Sequence, residues 1–266
     1  MSAALRQRDA LRRIAPDRIP RPFDHCCGGC PLPGACDDEP DAGLPGALLD
    51  SVLEQRRLEA GATLYMAGQR RCSIWVISEG ALKTCEVDID GREQVVGFHG
   101  AGDVLGIERI EITAHRGFAM ALESTRVCRI PVNRLVEKLT AMPQLWRDLL
   151  GIAAQQITRA REMHRVLGQL QSGQRLAWFL LRGVGPQRVE CDCSGEQSIH
   201  LPMQRQDIAS YLGMTLETVS RSFSALQKDG LIDVQGRTIR LLDPAGLALR
   251  IVPGANGDLP HYRAQQ

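Results

Sequence analysis

The period of the apolar positions changes along the chain, and the changes mark out its parts. From residue 58 to 130 short apolar runs alternate with turn residues: Thr63–Ala67, Ile74–Ile77, Ala81–Val87, Gln94–Phe98, Phe118–Leu122 and Arg126–Ile130. Gly61, Gly68, Gly80, Gly91, Gly100, Gly102 and Gly106 punctuate them. Short runs bounded by glycine turns predict an all-β barrel or roll of about eight strands. Ahead of it, Leu and Val at helical spacing in residues 44–57 predict a lead-in helix. Behind it, Pro131–Leu139 reads as a short helix. A long one follows from Pro143, a favoured first-turn residue, to about Gln171. At ~1.5 Å per residue it reaches ~40 Å. Two seams run along it. One is Leu150, Ala153, Ile157, Ala160, His164 and Leu167; the other is Leu149, Ala153, Gln156, Ala160, Met163, Leu167 and Leu170. Two seams suit a helix that packs on its own β domain and on a partner helix, as a dimer spine does. Its Ala, Gln and His positions make that partner seam marginal, hence switchable.

Beyond Ser172–Gly173, residues 174–182 form an amphipathic pattern with Leu176, Ala177, Phe179 and Leu180, and 187–201 read as a small hairpin. Then comes QRQDIASYLGMTLETVSRSFSALQKD at 204–229. Ile208, Ala209 and Leu212 recur at helical spacing, and Gly213 can take the positive φ that ends a helix. Thr215 is a good N-cap for a second helix with Val219, Phe223 and Leu226 on its apolar face. This is a helix-turn-helix. Glu217, Ser220 and Arg221 lie on the polar side of the second helix near its start, where a recognition helix touches base edges. As a plain helix pair, Glu217 would only answer the helix dipole and Arg221 would be a solvated charge. Ser222 departs from the pattern, since such units usually carry an apolar residue there; Phe223 beside it can fill the gap. Leu231–Val234 and Thr238–Leu242 flank Gln235–Gly236–Arg237 as a β-hairpin wing, and 251–266 read as a loose tail.

Composition narrows the class. The chain has 266 residues, 44% hydrophobic and 24% charged, with a formal net charge of +1. That is ordinary for a globular protein of two domains, and near-neutrality means that DNA binding requires a local basic face. No apolar run approaches a membrane span and none resembles a signal-peptide core, so a cytoplasmic protein without a membrane partner is expected. No phosphate loop, Ser/His/Asp arrangement or HExxH motif points to an enzyme. Nine cysteines are many for such a chain, and disulfides are rare in a reducing compartment.

Three of these cysteines, Cys27, Cys30 and Cys36, stand in C-x2-C-x5-C spacing in the Gly- and Pro-rich stretch HCCGGCPLPGACDDEPD. Such a loop can wrap three thiolates around one centre, iron–sulfur or zinc. Cys26 adjoins Cys27, and His25 could complete a local zinc site. A fourth ligand can also come from far along the chain. Cys72, Cys85 and Cys128 lie in or near strands, where a buried free thiol is the ordinary reading. Cys191 and Cys193 alternate with Asp192 and face one side of their hairpin.

An all-β domain, a long helix and a winged helix-turn-helix, in that order, resemble the CRP/FNR regulator superfamily. VVGFHGAGD at 95–103, ALESTRVCRIP at 121–131 and LGMTLETVSR at 212–221 are similar to segments of its FNR (fumarate and nitrate reduction) type, as is the cysteine spacing. The resemblance runs from about Cys27 to Leu242. It implies a 4Fe–4S cluster on Cys27, Cys30, Cys36 and, as fourth ligand, Cys128. Glu217, Ser220 and Arg221 are then the residues that read the palindrome TTGAT–four bases–ATCAA, and a homodimer is required. The acidic Asp37, Asp38 and Glu39 depart from the family's apolar residues after the third cysteine. The cyclic-nucleotide branch carries a Gly-Glu-Leu segment and an Arg-Ser-Ala phosphate grip. Here Gly102–Gly106 (GDVLG) and Gly117–Ala119 (GFA) stand instead, so no cyclic nucleotide is expected.

The expected fold is α+β, ordered as a cysteine-bearing tail (1–43), a β-roll sensor domain (44–141), a dimerisation helix (142–172), a winged helix-turn-helix (173–250) and a tail (251–266). The expected function is an anaerobic, oxygen-responsive transcription regulator, an activator that touches RNA polymerase through exposed loops such as Asp88–Glu93. The alternatives are a zinc-stabilised interaction module on Cys26, Cys27, Cys30 and Cys36, and a nitric-oxide or haem sensor using His99, His115 or His164.

Overall fold

The computed structural model describes residues 54–70, 72–107, 114–182, 188–191 and 197–251. The loop that carries Cys27, Cys30 and Cys36, the stretch 44–53, Cys193 and the tail beyond Ile251 lie outside the described residues. The described chain falls into two compact units, one ending at Glu162 and one beginning at Met163.

The first unit is the β-roll. Its strands are β1 (Glu54–Leu58), β2 (Thr63–Tyr65), β3 (Ser73–Glu79), β4 (Ala81–Val87), β5 (Glu93–Gly100), β6 (Val104–Leu105), β7 (Gly117–Ala121) and β8 (Thr125–Pro131). They pair antiparallel in two sheets, ordered β1-β8-β3-β6 and β2-β7-β4-β5. Two corrections to the sequence reading stand here. Glu54–Arg57, expected at the end of a lead-in helix, is an edge strand, paired along its length with β8. The two-residue β6 carried no periodic signal.

Leu58, Leu64, Ile77, Leu82, Leu105, Ala119 and Val127 fill the space between the sheets. In the β1-β8-β3-β6 sheet, strands β8, β3 and β6 are buried on the outer face as well. There Ile74, Val76, Val104, Cys128 and Ile130 form a second core with helices α1 (Val132–Ala141) and α2 (Gln144–Gln169), through Leu135, Leu139, Leu145 and Leu149. Each such aliphatic side chain contributes about 1.5–3 kcal/mol when removed from water. The long helix is therefore anchored to the roll by its first turns. Farther along, Gln156 donates to the Val104 carbonyl at 3.0 Å and Arg159 pairs with Asp103 at 3.0 Å.

The second unit contains the end of α2, α3 (Ser172–Arg182), β9 (Arg188–Cys191), β10 (Gln197–His200), α4 (Arg205–Tyr211), α5 (Leu216–Lys228), β11 (Ile232–Gln235), β12 (Thr238–Leu241) and α6 (Pro244–Ile251). Its sheet runs β11-β12-β10-β9. The wing turns through Gly236, whose φ of 63° only glycine takes at little cost. Helix α6 was not foreseen; Leu247, Ala248 and Ile251 bury its inner face.

One glycine is fixed by a close approach rather than by φ. A Cβ on Gly117 would sit 1.7 Å from the Cys85 carbonyl oxygen across the β4–β7 ladder. Gly117→Ala should therefore destabilise the roll by about 3 kcal/mol or more, as overpacking against backbone does. Thermal unfolding followed by near-UV dichroism measures it.

Candidate nucleic-acid interface and ligand cysteine

The helix-turn-helix is built by local capping. Gln204 caps α4 in a capping box with Asp207, a device the sequence reading passed over. Gly213 ends α4 with φ 60°. The Thr215 hydroxyl accepts from the Thr218 N–H at 3.1 Å and starts α5. Val219, Phe223 and Leu226 are buried beneath α5, as the period required. Ser222 is also buried, and its hydroxyl donates to the Thr218 carbonyl at 2.8 Å, so the polar group there is satisfied inside its own helix.

Opposite that buried face the first two turns of α5 stand out. Glu217 and Arg221 are exposed and form an i,i+4 ion pair, and Ser220 is half-buried between them. Leu216, also exposed, opens the helix beside Glu217. The sequence reading missed it, although the position directly after an N-cap is a recognisable signal. In sum the start of α5 offers a guanidinium, a carboxylate, a hydroxyl and an apolar side chain, which are the groups that discriminate base edges in a major groove.

Of the four expected metal ligands, the described residues contain Cys128. It is buried at 3% exposure, opposite Gln55 on β1 and Val76 on β3. Val127 and Cys128 are consecutive and both buried, so they face opposite sides of the sheet. Val127 points into the roll, and Cys128 packs on the outer face with Leu145 and Leu149 of α2. Among the described residues no three His, Cys, Asp or Glu side chains gather as a metal site. Cys72 is exposed and Cys85 is buried in β4. The histidines considered as haem ligands are engaged or open. His99 Nε2 lies 2.9 Å from the Thr84 hydroxyl, His115 stacks on Tyr65 with centroids 3.7 Å apart, and His164 is exposed on α2.

The expected spine seam divides between two faces. Leu149 and Gln156 face the roll. Leu150, Ile157 and Leu167 are exposed at 64%, 54% and 37%; Ala160 and His164 are exposed, and Ala153 is half-buried. Trp146, 52% exposed, extends this row by one step that the sequence reading left out. No helix among the described residues is long and apolar enough to cross a membrane.

These features match known proteins. Residues 174–250 match a Crp-like helix-turn-helix domain and residues 55–141 a cyclic nucleotide-binding domain. The transcriptional activator protein FnrA of Stutzerimonas stutzeri is 34% identical over 83% of this chain and 90% of its own length. The fumarate and nitrate reduction regulatory protein of Salmonella typhimurium is 32% identical over 75% of this chain and 80% of its own. Among solved structures, FixK2 from Bradyrhizobium japonicum superposes with a TM-score of 0.64 at 30% identity, covering 73% of this chain and 94% of that one. A roll joined by a long helix to an exposed reading helix is the architecture of a DNA-binding regulator, and this chain belongs to the CRP/FNR family of transcription regulators. Within that family its relatives include transcriptional activators of the FNR and Anr type, and it is not an enzyme.

Removing the Thr215 hydroxyl takes away an N-cap. Thr215→Ala should cost about 1 kcal/mol in urea unfolding of the second unit, and Thr215→Ser should restore most of it.

Proposed function

We propose that this protein is an oxygen-responsive transcription activator that binds a palindromic operator as a homodimer and is active without oxygen. The observation that carries the reading is the position of Cys128 in one core with the first turns of α2. Cys27, Cys30, Cys36 and Cys128 are the ligand set. The surroundings of Cys128 suit a metal–sulfur group: they are apolar and buried, and among the described residues no group of three His, Cys, Asp or Glu side chains forms a complete site there. By the FNR resemblance of the C-x2-C-x5-C spacing, the remaining thiolates come from the N-terminal loop. At ~3.3 Å per residue, the chain from Cys36 to Glu54 reaches far more than the width of a sheet, and it enters β1 beside the position opposite Cys128.

A 4Fe–4S cluster bound there supplies an oxygen-labile link between the loop and the roll. Cys128 holds its side of the link against the face on which Leu145 and Leu149 pack, so the link stabilises the first turns of α2. The row Trp146, Leu150, Ala153, Ile157, Ala160, His164 and Leu167 then pairs with the same row of a second copy at heptad spacing. Ala153 and Ala160 bury little area and His164 little apolar surface, so the pairing depends on the anchor at its start. Without the link the copies separate, and a monomer cannot span two half-sites.

On DNA, Arg221 donates twice to a guanine, Glu217 accepts from a cytosine amine and Ser220 contacts a neighbouring base. Leu216 packs on a thymine methyl. The operator is TTGAT–four bases–ATCAA, carried over from the resemblance of residues 212–221. The Asp88–Glu93 turn, held by the Asp88 carboxylate on the Asp90 and Arg92 N–H groups, offers RNA polymerase a fixed surface with Ile89 at its tip. By the same resemblance the roll takes no cyclic nucleotide, since Gly117–Ala119 (GFA) stands where the nucleotide-binding branch carries its Arg-Ser-Ala phosphate grip.

Two substitutions test this. Cys128→Ala should abolish dimerisation and operator binding in protein handled without oxygen, read by sedimentation and gel shift; normal anaerobic binding would refute the ligand assignment. Arg221→Ala should weaken operator binding by roughly 1–3 kcal/mol, about five- to 150-fold, with the visible spectrum and the dimer unchanged.

A further inference from the structure

Two helices of the second unit end at the same point. The last turn of α2 leaves the carbonyls of Leu167 and Leu170 without helical partners, and the end of α4 leaves those of Leu212 and Gly213. Helix C-termini carry partial negative charge, so two that converge repel one another. Neither α2 nor α4 has a basic residue in its own last turn to offset this.

The Arg175 guanidinium of α3 stands between them. Its Nε donates to the Leu170 carbonyl at 2.9 Å and its Nη2 to the Leu167 carbonyl at 2.9 Å. Its Nη1 donates to the Leu212 carbonyl at 2.9 Å and to the Gly213 carbonyl at 3.4 Å. One planar, permanently charged fork thus binds the end of the long helix to the turn of the helix-turn-helix. Leu167, the last residue of the exposed row on α2, also lies against this turn: its Cδ2 is 3.5 Å from where a Cβ on Gly213 would be.

We infer that Arg175 is the positioning residue that fixes the reading helices on the last turn of α2, and thereby sets the half-site spacing the dimer accepts. This rests on the dimeric, operator-binding reading above. Arg175 does not touch the base-reading side chains; it acts through the carbonyls of Leu212 and Gly213, directly before the Thr215 cap of α5. Lysine keeps the charge but has no fork to divide among four carbonyls on two helices.

The test uses full-length wild type, Arg175→Lys and Arg175→Met, all purified without oxygen. Affinity is measured on TTGAT and ATCAA half-sites separated by three, four and five bases, with dimerisation and visible spectrum recorded alongside. Wild type should prefer one spacing. Arg175→Lys should dimerise with an unchanged spectrum but lose that preference by at least about fivefold, the lower range of coupling between sites, with Arg175→Met at least as affected. Should Arg175→Met not fold, Arg175→Lys decides. A variant that binds all three operators more weakly but keeps the wild-type ratio overturns the inference, because general destabilisation lowers all three alike. Wild-type binding to none of the operators overturns the functional reading and this inference with it; a selective wild type with equally selective variants overturns the inference alone.

Discussion

Burial of strands β3 and β8 on both faces is the constraint from which the first unit follows. One face closes the roll, and the other must be covered by α1 and the beginning of α2. Strands with two buried faces cannot alternate cleanly between apolar and polar residues, and β3 and β8 do not. The double burial puts consecutive residues of β8 to different uses. Val127 belongs to the interior of the roll, whereas Cys128 shares its environment with the helix that leaves the domain. Cys128 thus belongs to the same buried cluster as Leu145 and Leu149 of α2.

The long helix divides its surface in the same economical way. Leu145, Leu149, Ile152 and Gln156 commit one side to the roll, and the row from Trp146 to Leu167 remains exposed. Deep burial of leucine stabilises by about 1.5–3 kcal/mol, whereas alanine offers little area to remove from water. A seam with two alanines and a histidine is weak by composition, which suits a helix whose pairing is conditional. At its far end the same helix meets Arg175, where carbonyls of two helices are satisfied by one side chain.

Much of this was legible in the sequence. The glycine-punctuated runs gave the roll, and Gly213, Thr215 and the Val219–Phe223–Leu226 face gave the helix-turn-helix. The misses have physical reasons. In Glu54–Leu58 four of five residues are exposed, as on a charged edge strand, so its apolar pattern carried no strand period and the leucines before it suggested a helix. Ser222 looked wrong for its position because a buried hydroxyl is costly until its acceptor, a carbonyl one turn back, is known. The face on which Cys128 lies could not be read where both faces are apolar. Arg175 was invisible because its partners are backbone carbonyls, two of them far along the chain, and a backbone carbonyl has no sequence signature.

The central claim is that a metal–sulfur group joining the N-terminal cysteines to Cys128 controls the dimer. Iron, acid-labile sulfide and sedimentation of wild-type protein purified without oxygen, repeated after exposure to air, test it most directly. The account predicts about four iron and four sulfide per chain in a dimer, and loss of both colour and dimer in air. Zinc in their place, or a dimer indifferent to air, would contradict it.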